Sequence, residues 1–279
     1  MMHNQNVYRV SSSGSWMFNS IARCAFRMFC IFCVGVCLAA ASGAARGADA
    51  TVIKVFILAG QSNMQGQGVV EMDHPKYYNG GKGNLVNSMK NPKNAHLYKH
   101  IRGKDGKWIV RDDVWVRYQI KSGLTAGPLS IGFTGYGGKS HIGPEFKFGH
   151  VVGDHFKQPV LLIKTAWGGK SLYKDFRPPS AVKAGGGEVG EYYKKMMAEV
   201  TEGLDHIGKD FPKLKGMKYE IAGFVWFQGW NDMFNKDGLA NYEENLVHLI
   251  NEVRKAWGKP SLPVVIALRP GCKILIGGW

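Results

Sequence analysis

The stretch Val55-Phe56-Ile57-Leu58-Ala59-Gly60-Gln61-Ser62-Asn63-Met64 decides how the chain is read. Its first five residues are apolar and include β-branched side chains, without alternation of polar and apolar positions. Such a run predicts a strand buried on both faces, as in a parallel sheet. Gly60-Gln61 then breaks the run and a serine follows at once. A serine delivered at the carboxyl end of a buried strand stands where open α/β sheets bind their ligands.

Working outward from it, similar runs recur. Pro159 to Lys164 predicts a second buried strand and leads into Thr165-Ala166-Trp167-Gly168-Gly169-Lys170-Ser171. Ile221 to Phe227 predicts a third, leading into Gln228-Gly229-Trp230-Asn231-Asp232, and Leu262 to Leu268 a fourth. Helices are expected between them: from Gly143-Pro144-Glu145 to about Phe156, from Glu191 to about Ile207, and from Leu239 to Trp257. Proline at the first helical position with an acid in the first turn favours the first of these starts. Gly258 and Pro260 stop the last helix. Strand and helix alternate from Pro159 onward, which predicts a three-layer α/β/α sandwich with a mainly parallel sheet. The three polar clusters, 60–66, 166–171 and 228–232, all fall at the carboxyl ends of strands. The region from Asp73 to His141 is irregular, with turn signals at Asn79-Gly80-Gly81, Gly103-Lys104-Asp105-Gly106 and Gly137-Gly138. Within it, Trp108-Ile109-Val110 and Val114-Trp115-Val116 read as a short hairpin. The whole is expected to be an excursion over the top of the sheet that builds a substrate wall.

Residues 1–48 read as a secretory signal peptide. Arg23 and Arg27 precede an apolar run from Met28 to Ala41, and the small residues Ser42, Gly43, Ala44, Ala45, Gly47, Ala48 and Ala50 follow. The run is shorter than the ~20 residues a membrane-spanning helix needs. No stable membrane insertion is expected after cleavage, and the product would be secreted or periplasmic. Residues 49–279 then form one domain of about 230 residues. Cys24, Cys30, Cys33 and Cys37 lie in the leader, so only Cys272 of the five cysteines would remain. That predicts no internal disulfide and no cysteine-based zinc site. The formal charge is +15; the leader carries four arginines and no acid, which leaves +11 for the mature part. The lysines are scattered singly without aromatic interleaving, so a solvated basic surface is expected rather than nucleic-acid binding.

Acyl transfer needs a nucleophile, a base, and donors aimed at the developing oxyanion. Ser62 suits the first role, and its own N–H, at a helix start, suits the last. The motif is not Gly-x-Ser-x-Gly, so an α/β-hydrolase elbow is not indicated. Gly168-Gly169 can bring backbone close to a substrate. Gln228 and Asn231 are both candidates for a side-chain donor. No Gly-x-x-x-x-Gly-Lys-Ser/Thr pattern is present to suggest a phosphate-binding loop.

Gly60-Gln61-Ser62-Asn63-Met64, Gly143-Pro144-Glu145, Trp167-Gly168-Gly169-Lys170-Ser171 and Trp226-Phe227-Gln228-Gly229, in that order, resemble the sialate O-acetylesterase-like branch of the SGNH hydrolases. That branch includes the carbohydrate esterase family six acetylxylan esterases. The resemblance spans most of residues 51–268. It implies removal of O-acetyl groups from an acetylated oligo- or polysaccharide, without a metal or other cofactor. It implies Ser62 as nucleophile, and it matches Gly169 to the glycine of the second block. Gly229-Trp230-Asn231-Asp232 matches the Gly-x-Asn-Asp of the wider superfamily, and Gln228 the glutamine of the branch. The branch usually has Gly-Glu after that glutamine. Trp230 stands in place of the acid, so the choice between Gln228 and Asn231 as donor stays open.

The last block of the resemblance, Asp-x-x-His, has no counterpart: none of the nine histidines has Asp three residues before it. His248 lies mid-helix among apolar residues, and its expected role is structural. His74, with Glu71 three residues before it, is the candidate substitute base. After Ile266 the sequence shows no helical period. The expectation is a C-terminally incomplete fold whose reading frame is truncated or shifted near residue 267, and hence weak esterase activity. Translation of the downstream DNA in all frames tests this. A glycan-binding protein that keeps the cleft without the base is the alternative, with Trp167, Trp226 and Trp230 as candidate sugar-stacking residues.

Overall fold

The computed structural model describes residues 52–72, 74–76, 80 and 83–267. The leader, Asp73 and the tail from 268, with Cys272, lie outside the described residues. In chain order the elements are β1 (Val52–Gly60), α1 (Ser62–Gln65), β2 (Gly68–Val69), α2 (Leu85–Lys90), β3 (Val114–Ile120), β4 (Gly123–Pro128), β5 (His141–Ile142) and α3 (Pro144–His155). There follow β6 (Val160–Ala166), α4 (Pro179–Gly185), α5 (Glu191–Asp205), α6 (Ile207–Asp210), β7 (Lys218–Phe227), α7 (Lys236–Ala240), α8 (Tyr242–Ala256) and β8 (Val264–Ile266).

The main sheet has six strands in the order β4-β3-β6-β1-β7-β8. Only the β3–β4 pair is antiparallel; every other pairing is parallel. β1 therefore sits inside, with β6 on one side and β7 on the other. Its unbroken apolar run is explained by the two cores that sandwich it. On one face Val55, Ile57, Leu161, Ile163, Phe224 and Trp226 pack against Met196 and Val200 of α5 and Leu246, Leu249 and Val253 of α8. On the other, Phe56, Leu58, Val116, Leu162 and Val225 pack against Phe146 and Val152 of α3, with Leu85, Ile101 and Leu129. The expected three layers are thus present, with helices on both faces of a mostly parallel sheet. α3, α5 and β7 fall where the sequence placed them, β7 beginning three residues early. The expected helix from Leu239 is divided: α7 ends at Ala240 and α8 begins at Tyr242, α7 being capped by the Asn235 side chain, which accepts from the Gly238 N–H at 2.7 Å.

The region 73–141 differs from its expectation. It does not simply overlie the sheet but supplies two of its strands. The hairpin is β3–β4, with Trp115 opposite Pro128 and Ile120 opposite Gly123, while Trp108 makes only an isolated bridge to Arg102. A charge hid the length of β3 and its place in the sheet. Arg117 sits in the middle of β3 at 2% exposure, ion-paired with Asp210 at 2.8 Å and Glu202 at 3.0 Å. Its partners lie about ninety residues downstream, beyond the reach of a local pattern. Among the described residues no helix is long and apolar enough to cross a membrane.

Candidate active site

Register brings the three polar clusters together. Gly60 lies opposite Ala166 of β6 and opposite Phe227 of β7. The three strands therefore end side by side, and Gln61, Trp167 and Gln228 leave the sheet at one level. β1 is also where the strand order reverses, the crevice in which such sheets bind ligands. Gly60 is required for this approach: a Cβ on it would stand 2.2 Å from the Phe227 carbonyl oxygen. Across that gap the Gln61 N–H donates to Phe227 O (3.2 Å) and the Trp167 N–H to Gly60 O (3.1 Å).

Ser62 is the first residue of the one-turn helix α1 and is partly exposed. The first amides of a helix lack intrahelical acceptors, so that end can receive negative charge. Gly168 faces Ser62 directly; a Cβ on Gly168 would lie 3.8 Å from the Ser62 Cβ. Gly169 has φ 74°, the left-handed region that favours glycine, and its carbonyl accepts from Asn231 Nδ2 at 2.9 Å. Serine, glycine loop and Asn231 amide thus border one corner.

Behind this corner is a buried polar network. Gln61, 3% exposed, accepts through Oε1 from Gln228 Nε2 (3.1 Å) and donates through Nε2 to Asn231 Oδ1 (3.1 Å). Gln228 Nε2 also donates to Lys170 O (2.9 Å) and Asp232 Oδ2 (2.6 Å). Asp232, fully buried, accepts the backbone N–H groups of Leu172 (2.9 Å) and Tyr173 (2.8 Å). Burial pushes its carboxyl above the ordinary carboxylate range, against the pull of those hydrogen bonds. The Gln228 amide hydrogens are therefore committed to the protein, whereas Asn231 Nδ2, donating to Gly169 O alone, keeps a second N–H. Gln61 and Asp232 are structural partners that the sequence reading passed over. Both lay inside the quoted motifs, but a hydrogen bond spanning some 170 residues has no local signature.

A second network holds α1 from below. Lys164, fully buried in β6, donates to Glu145 Oε2 (2.6 Å), Phe133 O (2.7 Å) and Gln65 O (3.2 Å). Glu145 Oε1 accepts from the Gly143 N–H at 2.9 Å. Burial pulls the Lys164 pKa down, opposed by the Glu145 carboxylate. Glu145 is thus more than a first-turn acid of α3: it neutralises the cation that fixes the end of α1.

Most of the described histidines have local partners. His74 accepts through Nδ1 from the Lys76 N–H (3.1 Å). His100 meets Lys147 and stacks edge-on against His150, His141 stacks on Tyr136 at 4.2 Å, and His155 packs on Phe156. His206 faces Glu202 and His248 faces Glu244, each one helical turn away. Among the tryptophans, Trp226 is core and Trp167 packs on Phe176 and Tyr192, while Trp230 is 43% exposed against Phe234. Beside Gly169 and Asn231 opens a cleft of about 850 Å³, walled by Tyr173, Lys174, Arg177 and Lys194.

The family model for carbohydrate esterases described as sialic acid-specific acetylesterases matches residues 52–269, and the chain belongs to that family. It is an esterase by descent, of the class that takes acetylated glycans. No curated protein matches the chain. Among solved structures it is similar to an Arabidopsis thaliana protein (TM-score 0.46, 18% identity, 76% of this chain and 72% of that one). It is also similar to a carbohydrate acetylesterase from Xanthomonas citri (TM-score 0.41, 14% identity, 76% and 40%) and to NanS (TM-score 0.45, 12% identity, 78% and 68%).

Proposed function

We propose that the chain hydrolyses O-acetyl esters on a sialate-type glycan, with Ser62 as nucleophile. The convergence of Ser62, Gly168-Gly169 and Asn231 at three adjacent strand ends carries this reading. Ser62 Oγ attacks the acetyl carbonyl, and the developing oxyanion lies among the Ser62 N–H, the 168–169 backbone and the Asn231 side chain. Collapse expels the sugar hydroxyl and leaves an acetyl-serine, which water cleaves to acetate. The sialate type rests on the family description, since the cleft wall balances Lys174, Arg177 and Lys194 against Asp175, Glu188 and Glu191. Trp230, beside Asn231, offers a ring face to the glycan. Export through residues 1–48 is part of the same proposal; N-terminal sequencing of the exported protein, expected to begin near residue 49, tests it.

The Ser62 proton requires a base, and apart from His74 no hydrogen bond joins a described histidine to Ser62. His74 is the candidate base nearest to Ser62 in sequence. Without a histidine base, a serine hydrolase retains only about 10³–10⁴-fold catalysis over water, from its oxyanion site and binding. The expected outcome is slow acetate release, abolished in Ser62→Ala, with labelling of Ser62 by a fluorophosphonate. Labelling elsewhere, or activity undiminished in Ser62→Ala, would refute the assignment. Saturable glycan binding with no acetate release would favour a glycan-binding protein.

A further inference from the structure

We infer that a second, smaller recess between α4 and α8 binds a small oxyanion. It has a volume of about 260 Å³ and is lined mainly by Tyr173, Arg177, Ala181, Asn241, Asn245 and His248. Two features of this recess ask for the same kind of partner. The first is Asn245 on α8, 4% exposed, whose Nδ2 has no hydrogen-bond acceptor. A buried donor left without an acceptor costs about 1–3 kcal/mol, and buried amides are ordinarily satisfied. The second is Arg177, 9% exposed. Its guanidinium lies over the Tyr173 ring and donates to three carbonyls: Gly186 (3.2 Å), Tyr173 (3.3 Å) and Ala181 (3.2 Å). Carbonyls satisfy hydrogens but leave the charge in place, and a guanidinium has five N–H groups. Among the described residues no carboxylate pairs with Arg177, although buried charges are normally paired.

Both groups are donors, which selects an acceptor with negative charge. The recess is below the ~300 Å³ lower range of drug-sized ligand pockets, so the anion must be small: a carboxylate or a phosphate. Arginine suits either through its planar fork. Glu244, the acid at the rim, is 67% exposed in its side chain and faces His248 at 3.8 Å, so water and the imidazole screen it. The loop around Arg177 is shaped for this grip. Gly186 and Gly187 take positive φ, and a Cβ at Gly185 would press to 3.1 Å from Arg177 Nη2. Since Arg177 also lines the large cleft, an anion here would brace the cleft wall.

Calorimetric or amide-shift titration of the full chain with sodium acetate and with sodium phosphate, against sodium chloride at matched ionic strength, tests this. Saturable millimolar binding of one of them is expected, weakened at least about tenfold in Asn245→Leu and unchanged in Ser62→Ala. Asn245→Asp places a carboxylate in the recess that Arg177 also lines; it should abolish anion binding and raise the Tm measured without anion. Loss of binding in Ser62→Ala would move the site to the catalytic corner and overturn the inference. So would the absence of saturable binding in the wild type, which leaves water alone in the recess, or wild-type binding by both Asn245 variants.

Discussion

Two glycines at the corner are constrained for different reasons, and substitution separates them. Gly60 has no room, since its Cβ would meet the Phe227 carbonyl at 2.2 Å; Gly169 has open space but a left-handed φ of 74°. Gly60→Ala is expected to destabilise by about 2–4 kcal/mol, because backbone of β1 and β7 must part. Gly169→Ala should cost only about 1 kcal/mol, as local strain. Urea unfolding of both variants checks the contrast; equal losses would show that the strand approach is softer than its geometry implies. Asp232 makes a third point at this scale. Asp232→Asn replaces an acceptor by a group that must turn an N–H₂ toward Leu172 N, Tyr173 N or Gln228 Nε2. The expected loss is about 1–3 kcal/mol, with weaker fluorophosphonate labelling of Ser62 as the 168–173 loop shifts.

At the scale of elements, α1 is one turn long and cannot be stable alone. Lys164 holds it, by reaching from β6 to the Gln65 carbonyl while paired with Glu145 of α3. Removing one member of a buried pair strands the other, at a cost of about 3–5 kcal/mol. Lys164→Met should lose that much in equilibrium unfolding. Lys164→Met combined with Glu145→Leu should recover most of it, since an apolar pair leaves no buried charge. If the double variant is no more stable than the single, the pair serves the geometry of α1 and the 132–135 loop more than electrostatics. Trp230 and Phe234, by contrast, touch at 5.3 Å on the open side of the site. Trp230→Ala is expected to raise the KM for an acetylated glycan and leave that for an aryl acetate unchanged.

For the whole molecule, two buried groups on opposite faces of the sheet set stability against pH in opposite directions. His150 on α3 is pushed down to about 4 by burial first, then by His100 and Arg111, with Lys147 adding to and Asp154 opposing the shift. It is neutral when folded, and the unfolded chain takes up the proton below 6.5, so stability is lost as pH falls from 6.5 toward 4. Glu199 on α5 is pushed up to about 7 by burial, against Lys195 and Arg117. Its protonated form is favoured when folded, so stability is lost as pH rises from 4.5 toward 7. Each effect is on the order of 1–2 kcal/mol after solvent screening. Between pH 4.5 and 6.5 they largely offset each other. Glu199→Gln should therefore give a Tm that rises with pH across this window, and His150→Phe one that falls; parallel profiles would refute the assignment.

The sequence determined the frame of the protein. The apolar run of β1, the matching runs before Trp167 and Gln228, and the helix at Gly143-Pro144 are local signals of burial and capping, and they are legible residue by residue. They were enough to place Ser62, Gly169 and Asn231 at strand ends. Only the tertiary structure decided which ends are neighbours, because strand order and register arise from packing between segments a hundred or more residues apart. It decided that β3 belongs to the sheet, since Arg117 reads as a surface charge until Asp210 and Glu202 fold over it. Likewise Lys164 and Gln228 look like solvated residues or ligand contacts in one dimension. Their partners, Glu145, Gln61 and Asp232, arrive only when the sheet closes, and a buried polar group has no meaning apart from its partner. Ser62 owes its position to β1, which the sequence announces, and its surroundings to contacts that no stretch of sequence contains.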